Sequence, residues 1–206
     1  ENAGLNWEAQ FSETSNPLMS VRFVSPAKGW AVGANGIILH TADSGNTWSV
    51  QNSNTTAVLY GLHVIDSITG IAVGDSGTIL RTMDGGETWG KLVPTTRARL
   101  RAVYFSGMHG WAVGDSGVIL YSPDKGISWV TRNSGVSERL NAVRFIDKNR
   151  GWVVGFQGLI LYTEDAGNSW SIQVSGTKKD LYGLYFQNPS SGWAVGEDQT
   201  ILHAQP

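Results

Sequence analysis

The chain has 206 residues, a formal charge of −2 and no cysteine, and it contains 26 glycines and 9 tryptophans. The absence of cysteine excludes disulfide scaffolds, cysteine-based zinc sites and thiol catalysis. No apolar run approaches the roughly 18 residues that would cross a bilayer, and no block of like charges indicates a nucleic-acid-binding tail.

Two motifs recur along the chain with the same period and at a nearly constant distance from each other. The first is a pentapeptide of the type Gly-Trp-Ala-Val-Gly, and its five copies occupy residues 29–33, 70–74, 110–114, 151–155 and 192–196. Their spacings of 41, 40, 41 and 41 residues are typical of a repeat architecture. The second motif is Ser/Thr-x-Asp-x-Gly-x-Ser/Thr-Trp, and its aspartates are Asp43, Asp84, Asp124 and Asp165.

Each repeat is predicted to contain four short strands, as the second repeat illustrates. The predicted strands are residues 59–65, 71–75, 78–82 and 88–93, with a tight turn at Asp75 and Ser76. No helical pattern of useful length occurs, so the fold class is all-β. Four antiparallel strands in a unit of about 40 residues describe one blade of a β-propeller.

The two ends of the sequence predict how the ring closes. The fifth pentapeptide is followed by one more strand pattern, Thr200 to His203, but by no further Asp motif. Trp7 lies 41 residues before Trp48, in the place of a fourth-strand tryptophan. We therefore predict that residues 7–11 supply the outer strand of the last blade and close a five-bladed ring, which removes its open edges. The single domain 1–206 then has blades at about 18–52, 59–93, 100–132, 140–174, and 181–203 plus 7–11.

The Asp motif resembles the Asp-box, or BNR repeat, of sialidases and related propellers. Combined with Gly-Trp-Ala-Val-Gly and with Gly-x-Ile-Leu-x-Thr at residues 36–41, it is similar to the photosystem II stability and assembly factor family over essentially the whole chain. Members of that family are described as seven-bladed, non-enzymatic, extracytoplasmic chaperones, so five predicted blades are a departure. The resemblance implies a non-catalytic scaffold for a protein or peptide, located in a periplasm, in a thylakoid lumen or outside the cell.

The resemblance places the Asp-box in the hairpin between the third and fourth strands, away from the ligand face. A short carboxylate in a tight turn accepts hydrogen bonds from nearby backbone N–H groups, and glycine tolerates positive φ. We therefore interpret Asp43, Asp84, Asp124 and Asp165 as structural residues. The motif offers too few oxygen ligands for calcium, and we predict neither a metal nor a cofactor.

Other function classes find less support in the sequence. Residues 74–77 match the nucleophile segment of chymotrypsin-like proteases, but they form a predicted turn with no histidine and acid assigned to it. A carbohydrate-binding, lectin-like propeller is the alternative interpretation. However, all nine tryptophans occupy equivalent positions in successive repeats, so none is left over as an obvious platform for a sugar. A sialidase-like glycosidase is less favoured, since no pair of facing carboxyls can be named. Nucleic-acid binding is not expected from scattered basic residues.

A binding surface is expected where the repeats differ, in the connections that lead from each fourth strand to the next first strand. One connection carries Arg97, Arg99 and Arg101, which alternation would direct to one side. Arg132 and Arg139 flank the next connection. Because guanidinium groups pair with carboxylates, we predict that these five residues bind an acidic peptide; a solvated, charge-balanced loop is the alternative.

One repeat column at the start of the first strands varies from blade to blade. Its members are Met19, Tyr60, Arg101, Asn141 and Tyr182. Five identical ligand sites would repeat their contact residues, so a single asymmetric site is predicted near the mouth of the channel. Tyr60 and Tyr182 therefore join the candidate partner-binding residues, and the chain is expected to be a monomer.

Overall fold

The fold is a row of five antiparallel β-sheets, called blades 1 to 5 below. The computed structural model describes residues 7–204. Blades 1 to 4 have four strands each, blade 5 has three, and the strands of each blade pair in chain order. The strands are β1 Leu18–Phe23, β2 Gly29–Gly33, β3 Ile38–Thr41 and β4 Ser49–Gln51; β5 Leu59–Val64, β6 Gly70–Gly74, β7 Ile79–Thr82 and β8 Gly90–Lys91; β9 Leu100–Ser106, β10 His109–Gly114, β11 Ile119–Ser122 and β12 Val130–Arg132; β13 Leu140–Phe145, β14 Gly151–Gly155, β15 Ile160–Thr163 and β16 Ser171–Gln173; β17 Leu181–Asn188, β18 Ser191–Gly196 and β19 Ile201–Ala204.

The repeated pentapeptide forms the second strand of every blade. All five of its residues are buried in blades 1 to 4. The strand pairs along both edges and packs on both faces, so an unbroken apolar run is the expected pattern. The closing glycine is required by a close backbone approach, since a Cβ on Gly74 would lie 2.1 Å from the carbonyl oxygen of Val58.

The core lies between the blades. At the first junction, Trp30 and Ile38 of blade 1 pack against Leu59 and Leu62 of blade 2. The equivalent two faces meet at the other three junctions. The pentapeptide tryptophans are central to this packing: the ring of Trp111 stacks on Phe145 of the next blade with centroids 3.5 Å apart. Burial of such large aromatic groups supplies much of the stability of the row.

The first strands of neighbouring blades contact one another and form the inner edge of the row. The second and third strands are joined by one short 3-10 turn in each of blades 1 to 4. Its middle residue has a positive φ, as at Ser76 with φ 55°. The predicted turn at Asp75 and Ser76 is thus confirmed. The fourth strand of blade 2 is shorter than the predicted 88–93, because Thr88 is held by the preceding turn and pairing begins at Gly90.

The N-terminal segment lies beside blade 1. Residues 7–11 form no strand in this structure, and within residues 7–204 β19 pairs only with β18, so closure of the ring by this segment stays a prediction. The indole Nε1 of Trp48 donates to Gln10 Oε1 at 3.3 Å. One repeat later, Trp89 Nε1 donates to Gln51 Oε1, on β4, at 3.0 Å. Gln10 therefore accepts from Trp48 as the fourth-strand residue Gln51 accepts from Trp89.

The two end blades expose faces that are buried at every internal junction. On blade 1, Leu18 and Val21 are 43% and 49% exposed, whereas their counterparts Leu59 and Leu62 are almost fully buried. On blade 5, Ile201 is 71% exposed, whereas its counterparts on the other blades pack into junctions. The counterparts of these two faces pack against each other at the internal junctions. In the described part of the chain, no helix is long and apolar enough to cross a membrane.

Candidate functional site

Each Asp-box carboxylate accepts several hydrogen bonds from its own turn. In blade 2, Thr82 Oγ1 donates to Asp84 Oδ1 at 2.7 Å, Thr88 N to Oδ1 at 3.0 Å, and Thr88 Oγ1 to Oδ2 at 2.5 Å. The side-chain and backbone hydrogen bonds from Thr88 lower the pKa of Asp84 to about 2. The same pattern recurs at Asp43, Asp124 and Asp165. This geometry favours the structural role predicted for the four aspartates.

The variable column at the start of the first strands corresponds to a β-bulge in every blade. In blade 3, Leu100 pairs with Gly114 and Ala102 with Val113, so Arg101 is the extra residue. The other bulged residues are Met19, Tyr60, Asn141 and Tyr182. A bulge releases a residue from the ladder and changes the direction of its side chain. These positions can therefore vary without disturbing the pairing of the sheet.

A backbone hydrogen bond holds each bulge beside the turn of the same blade. In blade 2, Asp75 N donates to the carbonyl oxygen of Val58 at 2.9 Å, and in blade 3 Asp115 N donates to that of Arg99 at the same distance. The turn that follows the second strand and the connection that enters the first strand therefore share one surface. This surface is called the loop face below.

Three of the predicted arginines form ion pairs on the loop face. Arg99 Nε lies 2.6 Å from Asp75 Oδ1, which joins blades 3 and 2, and the hydrogen bond to Asp75 raises the pKa of Arg99. Arg101 Nε lies 2.5 Å from Asp115 Oδ1, within blade 3. The guanidinium of Arg99 also covers the ring of Tyr60 at 5.0 Å. The positive charges of Arg99 and Arg101 are therefore largely balanced by aspartates, as the alternative interpretation of a charge-balanced loop expects.

Arg139 forms the third pair, at the junction of blades 4 and 5. Its Nη2 lies 2.5 Å from Asp180 Oδ2, and Gln157 N donates to the other carboxylate oxygen at 2.9 Å. The guanidinium also lies over the ring of Phe156, 5.4 Å from its centroid. Asn141 crosses the same junction, since its Nδ2 donates to the carbonyl oxygen of Leu181 at 2.8 Å.

The remaining candidates are less closely grouped. Arg97 is exposed and forms no ion pair within the described residues. Arg132 lies at the end of the outer strand β12, where its guanidinium covers the ring of Tyr121 at 4.8 Å. Tyr182 is exposed at its bulge. Arg97 and Arg132 therefore lie outside the ion-pair clusters around Asp75, Asp115 and Asp180, three residues that the sequence did not single out as partners of the arginines.

An open groove of about 1060 Å³ runs along the loop face of blade 4. Its walls are the two variable connections, residues 133–138 and 174–178. Phe156 and Gln157, in the turn after the second strand, line it between those walls. Phe156 is 38% exposed, so an aromatic surface is available beside the Arg139 pair. The repeat alignment shows Phe156 as an outlier, since the equivalent turn residues are small or acidic, and that signal could have marked it.

Residues 75–77 of the protease-like segment form the 3-10 turn that follows β6, with Ser76 at its centre. Among residues 7–204, no group of three or more histidine, aspartate or glutamate side chains is placed to hold a metal ion.

A family model described as photosynthesis system II assembly factor YCF48 matches residues 1–65, 50–134 and 132–206. The chain belongs to this family. The resemblance inferred from the Asp-box and the pentapeptide is thereby confirmed. A comparison with curated protein sequences finds no match.

Solved structures show that the fold is propeller-like. YCF48 bound to D1 peptide is 16% identical, with a TM-score of 0.52 and 95% of each chain covered. The WD40 β-propeller domain of Doa1 is 13% identical, with a TM-score of 0.69; 91% of this chain covers 64% of that one. An ancestral GH74 enzyme is also 13% identical, with a TM-score of 0.67, and only 31% of its chain is covered. At these identities the likeness concerns the fold alone.

Proposed function

We propose that this YCF48 family member is a non-catalytic scaffold that binds an extended peptide on its loop face. The observation that carries the proposal is the groove of blade 4, where variable connections enclose the exposed Phe156 beside the Arg139–Asp180 pair. The D1 peptide bound to a YCF48 of the same fold supports a peptide as the ligand class. The resemblance also favours a location outside the cytoplasm.

The chemistry of the loop face suits a peptide with acidic and apolar side chains. Arg99 and Arg101 are each paired with an aspartate, but the two pairs remain partly exposed, and such pairs are weak, about 0–1 kcal/mol. A ligand carboxylate can therefore replace the aspartate at little cost. Arg97 forms no ion pair within the described residues, so a ligand carboxylate can bind it without displacing an aspartate. Phe156 offers an aromatic contact, and aromatic residues are frequent among the strongest contributors to binding.

Binding can be tested with an array of short synthetic peptides of acidic, neutral and basic composition. We expect acidic peptides with aromatic or aliphatic side chains to bind best. In fluorescence anisotropy, Phe156→Ala and Arg97→Glu should each weaken the best peptide about tenfold. Lys91→Glu makes the same charge change as Arg97→Glu on an outer strand and should have little effect. Equal affinity in all three variants, or no binding peptide, would refute the proposal; turnover or binding of glycans in parallel would favour the glycosidase or lectin reading.

We propose further that residues 7–11 complete blade 5 of the same chain, which makes the protein a closed, monomeric, five-bladed ring. The hydrogen bond that Trp48 donates to Gln10 supports this proposal, because it copies the one that Trp89 donates to Gln51 across an internal junction. The complementary apolar faces of blades 1 and 5 support it as well. In blade 1, His40 pairs with Ser49. The repeat then predicts that His203 pairs with Glu8.

That pairing can be tested with cysteines, because the chain has none of its own. Glu8→Cys with His203→Cys should form an intramolecular disulfide in a protein that runs as a monomer in light scattering. His40→Cys with Ser49→Cys is the matched positive control from an observed strand pair. A disulfide that links two chains would show that blade 5 pairs between molecules, and no disulfide would show that residues 7–11 lie elsewhere.

A further inference from the structure

A second variable column lines the inner edge of the blades, three residues beyond the bulges. Its members are separated by 41, 41, 40 and 41 residues, and every blade contributes one of them. They are called the inner column here and comprise Arg22, His63, Tyr104, Arg144 and Tyr185. All five lie on first strands, which form the inner edge of the row.

The inner column is a continuous set of contacts from blade 2 to blade 5. The ring of His63 meets that of Tyr104 edge-on, with centroids 5.2 Å apart. The guanidinium of Arg144 lies over Tyr104 at 4.8 Å and over Tyr185 at 5.6 Å. Arg144 is therefore held between two aromatic rings, which fix its position without neutralising its charge.

Neither arginine of the inner column has a carboxylate partner among residues 7–204. Within the described residues, Arg22 donates only to the carbonyl oxygen of its neighbour Val21, at 2.8 Å. The Nε of Arg144 is buried and has no acceptor from the protein. Buried donors without an acceptor are rare in folded proteins, and an unmade hydrogen bond to a charged group is costly. Arg139 Nε is buried without an acceptor as well, but the guanidinium of Arg139 is paired with Asp180 through Nη2, whereas that of Arg144 has no carboxylate beside it among residues 7–204.

The imidazole of His63 reports the positive potential of this region. Burial, together with the nearby charges of Arg22 and Arg144, lowers the pKa of His63 to about 4. His63 is therefore neutral near pH 7. It contributes a neutral polar side chain to the inner column, while the two guanidinium groups stay unbalanced.

We propose that the inner column is an anion site that takes a single oxyanion group, a carboxylate or a phosphate, on the guanidinium of Arg144, with Arg22 as the second positive charge. An oxyanion supplies the acceptor that Arg144 Nε lacks, and guanidinium groups recognise such groups by paired hydrogen bonds. The site shares no residue with the peptide site proposed on the loop face. Either of the two proposals can therefore be refuted without affecting the other.

Isothermal titration of the full chain at pH 7 with sodium phosphate, sodium sulfate and sodium acetate tests the site, at constant ionic strength set with a chloride salt. We expect saturable binding of one anion per chain. Tighter binding of phosphate and sulfate would assign the site to phosphate-type groups, and tighter binding of acetate would assign it to carboxylates. Arg144→Gln should weaken binding at least about tenfold, and Arg144→Lys should restore part of it.

The matched control is Lys148→Gln, which removes one positive charge from an exposed position in the same blade. It should leave the affinity unchanged. A second readout is the NMR titration of His63, which faces Arg22 and Arg144 and packs on Tyr104 and Phe105. A bound anion should raise its low pKa in the wild type and not in Arg144→Gln. The proposal is overturned by the lack of saturable binding, by equal weakening in Lys148→Gln, or by an anion-independent His63 titration.

Discussion

The Asp-box of blade 2 offers the sharpest test of a structural role. Asp84→Ala removes the acceptor of three donors: the hydroxyl of Thr82, the hydroxyl of Thr88 and the backbone N–H of Thr88. Thr82 is 2% exposed, so the loss of its charged acceptor costs about 1–3 kcal/mol. Thr88 is exposed, and water replaces most of what it loses. We expect a loss of about 2 kcal/mol, which lowers Tm by roughly 4–8 °C in a chain of this size.

Urea unfolding and thermal denaturation followed by circular dichroism measure this loss. Glu87→Ala is the matched control, since it removes the same charge from the same turn, where Glu87 accepts no hydrogen bond from the described side chains. Peptide affinity should be unchanged in both variants. If Asp84→Ala is no less stable than Glu87→Ala, or if only peptide binding is lost, the structural role is wrong.

The same pair of variants also predicts a pH dependence. The pKa of Asp84 is lowered from 3.8 to about 2 in the folded chain, chiefly by the hydrogen bonds from Thr88. A carboxyl with a lowered pKa stabilises the fold while it is ionised, so its contribution is complete above pH 3.8 and is lost as the pH falls toward 2. The stability difference between wild type and Asp84→Ala should therefore shrink in that window. A difference that stays constant from pH 5 to pH 2 would contradict the assigned hydrogen bonds.

Three further substitutions test the packing and the turns, each by urea unfolding. Phe145→Ala removes the ring that stacks on Trp111 and should cost about 3–5 kcal/mol; less than 1 kcal/mol would mean that the junction is loosely packed. Gly74→Ala places a Cβ 2.1 Å from the carbonyl oxygen of Val58 and should cost about 2–3 kcal/mol; a neutral result would contradict this close approach. Ser76→Gly relieves a positive φ of 55° and should stabilise by about 0.5 kcal/mol, whereas destabilisation would indicate a needed side chain.

The repeat predicts the sheets well because the residue types at equivalent positions of successive repeats are determined by packing. The pentapeptide at 110–114 falls within β10, and the paired tryptophans lie at the junctions between blades. Those residues satisfy the same physical demands in each repeat, so their types recur. The bulges could not be predicted in this way. An extra residue in the first strand changes the register by one, but the apolar residues on either side of it still match their columns.

The partners of the predicted arginines were missed for a related reason. Asp75 and Asp115 stand first in the turns after the second strands, and the sequence explains them fully as turn residues. Nothing local connects Arg99 to Asp75, which lies 24 residues earlier and in another blade. The contact follows only once the backbone hydrogen bonds have joined the connections and the turns in one loop face.

The closure prediction differs from these cases, because the sequence and the structure place residues 7–11 beside different blades and the two placements are compatible. The repeat assigns residues 7–11 to blade 5, and the structure places Gln10 against blade 1. In a propeller, the fourth strand of each blade contacts the next blade, as Gln51 does. A segment that completes blade 5 must therefore also contact blade 1 once the ring is closed. The observed contact is half of what closure requires, and the pairing of Glu8 with His203 is the other half.

The two variable columns of the first strands carry residues of the two proposed sites. The bulged positions end on the loop face, where aspartates from the turns reach Arg99 and Arg101. Three residues further along the strand, Arg22 and Arg144 have backbone and aromatic neighbours but no carboxylate partner within the described chain. A peptide carboxylate can displace the aspartate from an exposed ion pair on the loop face. The guanidinium of Arg144 has no aspartate to displace, so it favours a ligand that carries a negative charge.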